Sequence, residues 1–205
     1  MHGCCLGTCP VLVVSASCPV LTPGRSNEPS ARYVAALVPF LNGLRLVAIG
    51  TGLLPNADAV KAISRGGDAD ELLRGPLYYV IVMVFVTLVF WRDSPVGIVA
   101  ISLMCGGDGL ADVVGRKLGR GNPLPFNPSK SVAGSLAMFL GSFSLSLATL
   151  SVYAHLGAIN LDLSAAAPSL ALICAAAAAV EAAPLRLDDN VSVPGVALIM
   201  ASLML

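Results

Sequence analysis

Residues Asp108 to Lys117 place two carboxylates and two cations at the end of an apolar run. Asp108 and Asp112 are four positions apart, so they share a face of any helix that contains them. Two carboxylates at that spacing can reach one Mg²⁺, which takes oxygen ligands and commonly keeps substrate phosphates in its shell. Arg116 and Lys117 follow one to two turns later, where they can meet phosphate oxygens. Gly106, Gly107 and Gly109 surround the first acid. They are expected to let the backbone approach a ligand and to expose amides at a helix start, an anion seat. That inventory suits a polyphosphate with its metal ion. The plain alternative is a solvated interfacial turn whose charges pair among themselves.

Two further groups of residues extend this reading. In Asn127-Pro128-Ser129-Lys130-Ser131, Pro128 ends one segment, and Ser129 or Ser131 can cap the next helix. Lys130 then sits near a helix N-terminus, where the dipole disfavours a cation. A bound anion at Lys130 and Ser131 would remove the conflict, and a snorkelling lysine is the alternative. Glu181 closes a helix of alanines, where a charge needs a partner or water. Asp188-Asp189-Asn190 alone reads as a turn. Joined to the other loops, Asp189 is a candidate for a second metal contact, and Asn190 for holding a nucleotide. Asp112 and Glu181 are both candidates for accepting a proton.

These residues must be held by a membrane-type scaffold. The chain has 205 residues, of which 56% are hydrophobic and 12% charged, with a mean hydropathy of +0.83. A soluble domain would carry about 25% charged residues. The net charge is zero, which gives no reason to expect a nucleic-acid partner. A bilayer-crossing helix needs about 20 apolar residues. Runs of that kind predict an all-α, polytopic bundle of about six helices, at Tyr33–Leu54, Leu77–Trp91, Pro95–Cys105 continuing into the Asp108 helix, Val132–Tyr153, Ala166–Ala183 and Pro194–Leu205.

Alternating those helices across a bilayer puts three loops on one face: Pro55–Pro76, Gly106–Ser131 and Pro184–Ser192. They hold Lys61, Arg65, Arg74, Arg116, Lys117, Arg120, Lys130 and Arg186, two thirds of the Lys and Arg residues. The positive-inside rule makes that face cytosolic or stromal. The same loops gather Asp58, Asp68, Asp70, Glu71, Asp108, Asp112, Asp188 and Asp189. Charges of both signs on one face fit a site better than topology alone. Residues 1–31 read as a leader or linker, because Pro10 and Pro19 break the apolar run and no cationic start precedes it. Residues 32–205 form the transmembrane domain. Cys4 and Cys5 are read as an accidental cluster rather than an acylation site. The chain lacks a P-loop, the protein-kinase signatures, a nucleophile elbow and a zincin motif.

A family resemblance joins these segments. It is carried by Asn42-Gly43-Leu44-Arg45-Leu46, by Ser64-Arg65-Gly66-Gly67-Asp68 with Glu71 through Tyr79, and by Cys105 through Gly119. It continues through Asn127 to Ser135, and through Glu181 with Asp188-Asp189-Asn190 and Val193-Pro194. Over about Arg32 to the end, the chain resembles the plant phytol kinase group of the polyprenol kinase family. The resemblance implies an integral membrane kinase that transfers phosphate from CTP, with Mg²⁺, to an isoprenoid alcohol such as phytol, geranylgeraniol or farnesol. It also implies a chloroplast, multi-pass location and a role in supplying tocopherol synthesis. Family members usually begin with a further membrane segment bearing an Arg-Lys…His motif, which has no counterpart in this sequence. The expectation is therefore a shortened form. A CDP-alcohol phosphotransferase also uses an Asp-Gly membrane-helix motif with a metal. Its pattern continues Ala-Arg with two later aspartates, whereas Asp112 follows Ala111 here. A non-catalytic kinase relic is the remaining alternative.

Overall fold

The computed structural model describes residues 30–64, 67–91, 93–184 and 187–205. Most of the leader, together with Arg65, Arg92 and Arg186, lies outside the described residues. The chain divides into two compact units, one up to Leu88 and one from Val89 onward.

In the first unit, α1 (Ala31–Gly50) is an apolar helix that ends where Gly52 turns with a φ of +77°, a conformation suited to glycine. Asn56 caps the short α2 (Ala57–Ile63) by accepting from the Ala59 amide at 2.9 Å. A 3₁₀ turn at Ala69–Leu73 leads into α3 (Gly75–Val89). Leu46, Ile49, Leu72 and Val80 form the core. Gly50 permits close approach there, since a Cβ at that position would lie 2.6 Å from Leu73 Cγ. Arg45 is exposed on α1.

The second unit begins with α4 (Pro95–Ser102), started by a proline in its first turn, where a missing N–H costs nothing. It passes through one π-helical turn (Leu103–Asp108) into α5 (Gly109–Leu118). A two-stranded hairpin follows, β1 (Pro123–Leu124) pairing antiparallel with β2 (Asn127–Ser131). Then come α6 (Val132–His155), α7 (Leu163–Ala182) and α8 (Asp189–Met204). Val99, Leu103, Met138, Leu150, Ile173, Ala177 and Ala197 are fully buried in its core. Alanines on α7 leave room for neighbouring helices to approach closely.

Among the described residues, five helical stretches are long and apolar enough to cross a membrane: Ala31–Gly50, Ala69–Val89, Pro95–Gly121, Val132–His155 and Leu163–Ala182. The sixth, Asp189–Met204, is shorter. The all-α expectation holds, and two boundaries differ. The last helix starts at Asp189 rather than near Pro194, because the Asp188 side chain caps it. The Gly106–Ser131 segment contains a hairpin in place of an open loop.

Candidate functional site

Asp108 lies inside a continuous helix. It and Gly109 both have right-handed helical backbone, at φ/ψ of −61°/−43° and −60°/−42°. This corrects the expected anion seat, which required the free amides of a helix start. A helix running through these residues directs its N–H groups to its own carbonyls. The π turn inserts an extra residue into the helix and so alters which face the following side chains take.

Gly106 and Gly107 have a different task from the one expected. A Cβ on Gly107 would sit 2.0 Å from Ser142 Oγ and 2.8 Å from Met138 Sδ. On Gly106 it would meet Leu145 Cδ2 at 2.7 Å, and on Gly141 it would meet the Gly106 carbonyl at the same distance. These glycines let the π turn and α6 touch backbone to backbone. Farther along, Gly134 sits 3.4 Å from the Ala111 carbonyl and 3.5 Å from Gly115 Cα, measured from where its Cβ would be. Ala111 and Gly115 of α5, with Gly119 just beyond it, thus form the stripe that packs on the start of α6. Gly109 differs, with open space around its Cβ position.

The stripe leaves Asp108, Asp112 and Arg116 on an adjoining face at successive four-residue steps. Asp112 and Arg116 form an ion pair in which an Arg116 guanidinium N–H donates to Asp112 Oδ2. Its side chains are 29% and 61% exposed, respectively. A pair open to solvent on its Arg116 side contributes only about 0–1 kcal/mol. Lys117 is exposed beside it.

A second charged group spans three elements. Lys130, on β2, donates to Glu181 Oε1 at 2.5 Å and to Asp189 Oδ2 at 2.6 Å. Glu181 comes from the last turn of α7, and Asp189 from the first residue of α8. The Glu181 side chain is 7% exposed and that of Lys130 26%. Burial pulls the Lys130 ammonium down, but its hydrogen bonds to Asp189 and Glu181 and their charges outweigh this, holding its pKa above the usual lysine value of 10.5. Asn127 Nδ2 adds a hydrogen bond to the Ala182 carbonyl at 3.0 Å, one of the open carbonyls at the end of α7.

The remaining predicted residues have local partners. Ser131 caps α6, its hydroxyl accepting from the Gly134 amide at 3.1 Å. The Asn190 side chain donates to Asp188 Oδ1 at 2.8 Å, and the Asn190 amide donates to the same oxygen at 2.9 Å. Among the described residues, no three His, Cys, Asp or Glu side chains converge as a metal-ligand group. Asp108, Asp112 and Asp189 therefore do not form a ready three-ligand set. Asp108 and Asp112 remain a two-carboxylate pair on one helix face, which fits an Mg²⁺ whose other ligands are phosphate and water.

The hairpin and four buried serine hydroxyls are features the structure adds to the sequence-based expectation. Ser102, Ser135, Ser142 and Ser146 have hydroxyl oxygens that are shielded from solvent and have no hydrogen-bond partner. The clustered prolines Pro123, Pro125 and Pro128 were the available hint of a turn.

No protein-family model matches the chain, and no solved structure does. Curated plant proteins do. The chain is 50% identical over 181 residues to a probable chloroplastic phytol kinase of Triticum aestivum, covering 87% of this chain and 60% of that protein. It is 45% identical over 171 residues to the chloroplastic phytol kinase 1 of Arabidopsis thaliana, covering 82% and 56% respectively. With a probable chloroplastic phytol kinase of Zea mays the identity is 49% over 181 residues, covering 87% and 59%. The chain spans somewhat over half the length of these relatives. Identity of this order over more than four fifths of the chain makes it a relative of the plant phytol kinases.

Proposed function

We propose that this chain carries the phosphoryl-transfer site of a chloroplast-membrane phytol kinase, with CTP as donor and Mg²⁺ as cofactor. The observation that carries the reading is the 45–50% identity to phytol kinases across the segment that contains Asp108, Asp112 and Arg116. The reaction joins the phytol oxygen to the γ-phosphorus. The bond from that phosphorus to the β–γ bridging oxygen breaks, CDP leaves, and the alcohol proton passes to a base. The product would enter tocopherol synthesis.

Phosphoryl transfer depends chiefly on positioning and charge stabilisation. Asp108 and Asp112 would hold the Mg²⁺, which when bound neutralises charge on the β- and γ-phosphates. Arg116 and Lys117 are the cations for the phosphate oxygens. Arg116, exposed at the surface, would turn toward the phosphate. Asp112 would then meet the metal or take the alcohol proton. Glu181 is less suited to be the base, since its carboxylate is buried and bonded to Lys130. The open face at Gly109 lets a phosphate approach beside Asp108. The isoprenoid tail would lie along apolar helix surfaces, in lipid-like surroundings.

The test uses membranes containing this chain, supplied with Mg²⁺, phytol, and γ-labelled CTP or ATP. Labelled phytyl phosphate is expected with CTP and is lost by at least about 100-fold in Asp108→Asn, the scale of removing a key electrostatic group. Wild-type turnover by Asp108→Asn would remove the metal assignment. Absence of product from wild type inserted in the membrane would favour a non-catalytic relative.

A further inference from the structure

The Lys130 group has the geometry of a clamp. Its three members come from β2, the end of α7 and the start of α8, and lie 51 and 59 residues apart in sequence. One ammonium is held between two carboxylates, so the trio carries a net charge of −1. A polyphosphate approaching Lys130 would meet two anions that already occupy two of its three donors. Withdrawing Lys130 would also leave Glu181 as a buried carboxylate without its cation, a costly state.

The clamp fastens the connection between the helix bearing the candidate acids and α6. The hairpin base is closed by the Val132 amide donating to the Asn122 carbonyl at 2.9 Å. Ser131 Oγ lies 2.5 Å from where a Cβ on Gly119 would be, so the same strand end abuts the last turn after α5. At its other edge, Asn127 and Lys130 tie the strand to Ala182, Glu181 and Asp189. We propose that Lys130 is a positioning residue: paired with Glu181 and Asp189, it locks the Pro123–Ser131 hairpin onto the α7–α8 junction and does not bind phosphate.

This inference concerns the folded chain and can fail independently of the kinase reading. The full chain in detergent is treated with chymotrypsin, and cleavage after Phe126 is timed. Phe126 is 58% exposed at the hairpin turn, and its cutting requires the hairpin to open. Lys130→Met is expected to speed cleavage about 10-fold or more, the scale of removing the cation from a partly buried ion-pair group. The double variant Lys130→Glu with Glu181→Lys keeps one cation and two anions at the same three positions. It is expected to return cleavage to within about threefold of wild type, as a restored pair should. Asp189→Asn, which retains the Lys130–Glu181 contact, should give an intermediate rate and measures the clamp if Lys130→Met does not fold.

Unchanged cleavage in both Lys130→Met and Asp189→Asn would overturn the proposal. So would a charge-swapped variant cut as fast as Lys130→Met, or one that fails to fold while Asp189→Asn folds. A further overturning result is Lys130→Met that leaves free-chain cleavage unchanged but abolishes protection by Mg·CTP, because that pattern belongs to a phosphate ligand. Loss of kinase activity has no part in the decision.

Discussion

Replacing Gly107 by alanine separates a packing glycine from a binding one. The added Cβ would fall 2.0 Å from Ser142 Oγ, roughly 1.4 Å short of ordinary contact, and 2.8 Å from Met138 Sδ. The Met138 carbonyl is 3.2 Å away and belongs to the backbone of α6, so the helices must part slightly even if both side chains move. Overpacking of this kind costs about 1–3 kcal/mol. For a chain of this size each kcal/mol lowers the melting temperature by about 2–4 °C, so Gly107→Ala should melt about 2–12 °C lower in detergent. Adding Ser142→Ala removes the nearest clashing atom, a buried hydroxyl with no hydrogen-bond partner to lose. The double variant should recover at least half of the loss, leaving the residue due to Met138. Gly109→Ala is the control. Nothing lies within 4 Å of its Cβ position, and its backbone is helical, so its melting temperature should be unchanged or higher. If Gly109 borders the phosphate, transfer by Gly109→Ala should nevertheless fall. Equal melting of wild type and Gly107→Ala, or failure of Ser142→Ala to restore any stability, would refute the packing assignment.

Two other consequences are measurable in the same preparation. Ser131→Ala removes the cap on α6 and should cost about 1 kcal/mol, read as a lower melting temperature with no change in the products of any transfer reaction. The Lys130 clamp has a definite pH signature: because its folded pKa lies above 10.5, its stabilisation is complete below that value and is lost as pH rises through the raised folded value. The melting difference between wild type and Lys130→Met should therefore stay constant up to about pH 10 and shrink above it; a difference that already disappears at pH 8 would contradict the pairing.

Most of the helical order was legible because length and hydropathy decide it. Runs such as Val132–Tyr153 have few alternatives to a helix in an apolar environment, where backbone groups must bond within their own segment. Boundaries set by single side chains were harder to read. Asp188 caps α8 six residues before the proline that resembled its start, and two-residue Asx bonding looks the same in a turn as at a cap. Gly106 and Gly107 illustrate a different ambiguity. Glycine permits backbone to approach either a ligand or another helix, and nothing along the chain distinguishes the two. Distinguishing them required Ser142 and Gly141, more than thirty residues away, to be placed against them.

Lys130 and Glu181 show what can be recovered from unmet electrostatic demands. Each stood out in the sequence as a charge in a position needing an opposite charge: Lys130 before a helix N-terminus, Glu181 at the end of an alanine helix. Along the sequence, a bound anion answers the first and a partner or a proton the second. The fold supplies each to the other, with Asp189 as a third member. This division also decides which cations remain available for chemistry. Holding a buried carboxylate without its cation is costly, whereas the Arg116–Asp112 pair, with Arg116 at the surface, is the weaker kind of contact. A polyphosphate arriving at this face should therefore recruit Arg116 and Lys117 and leave Lys130 in place. On the proposed phosphoryl-transfer reading, the hairpin then stays fixed and the change on binding falls on the Asp108–Asp112 edge.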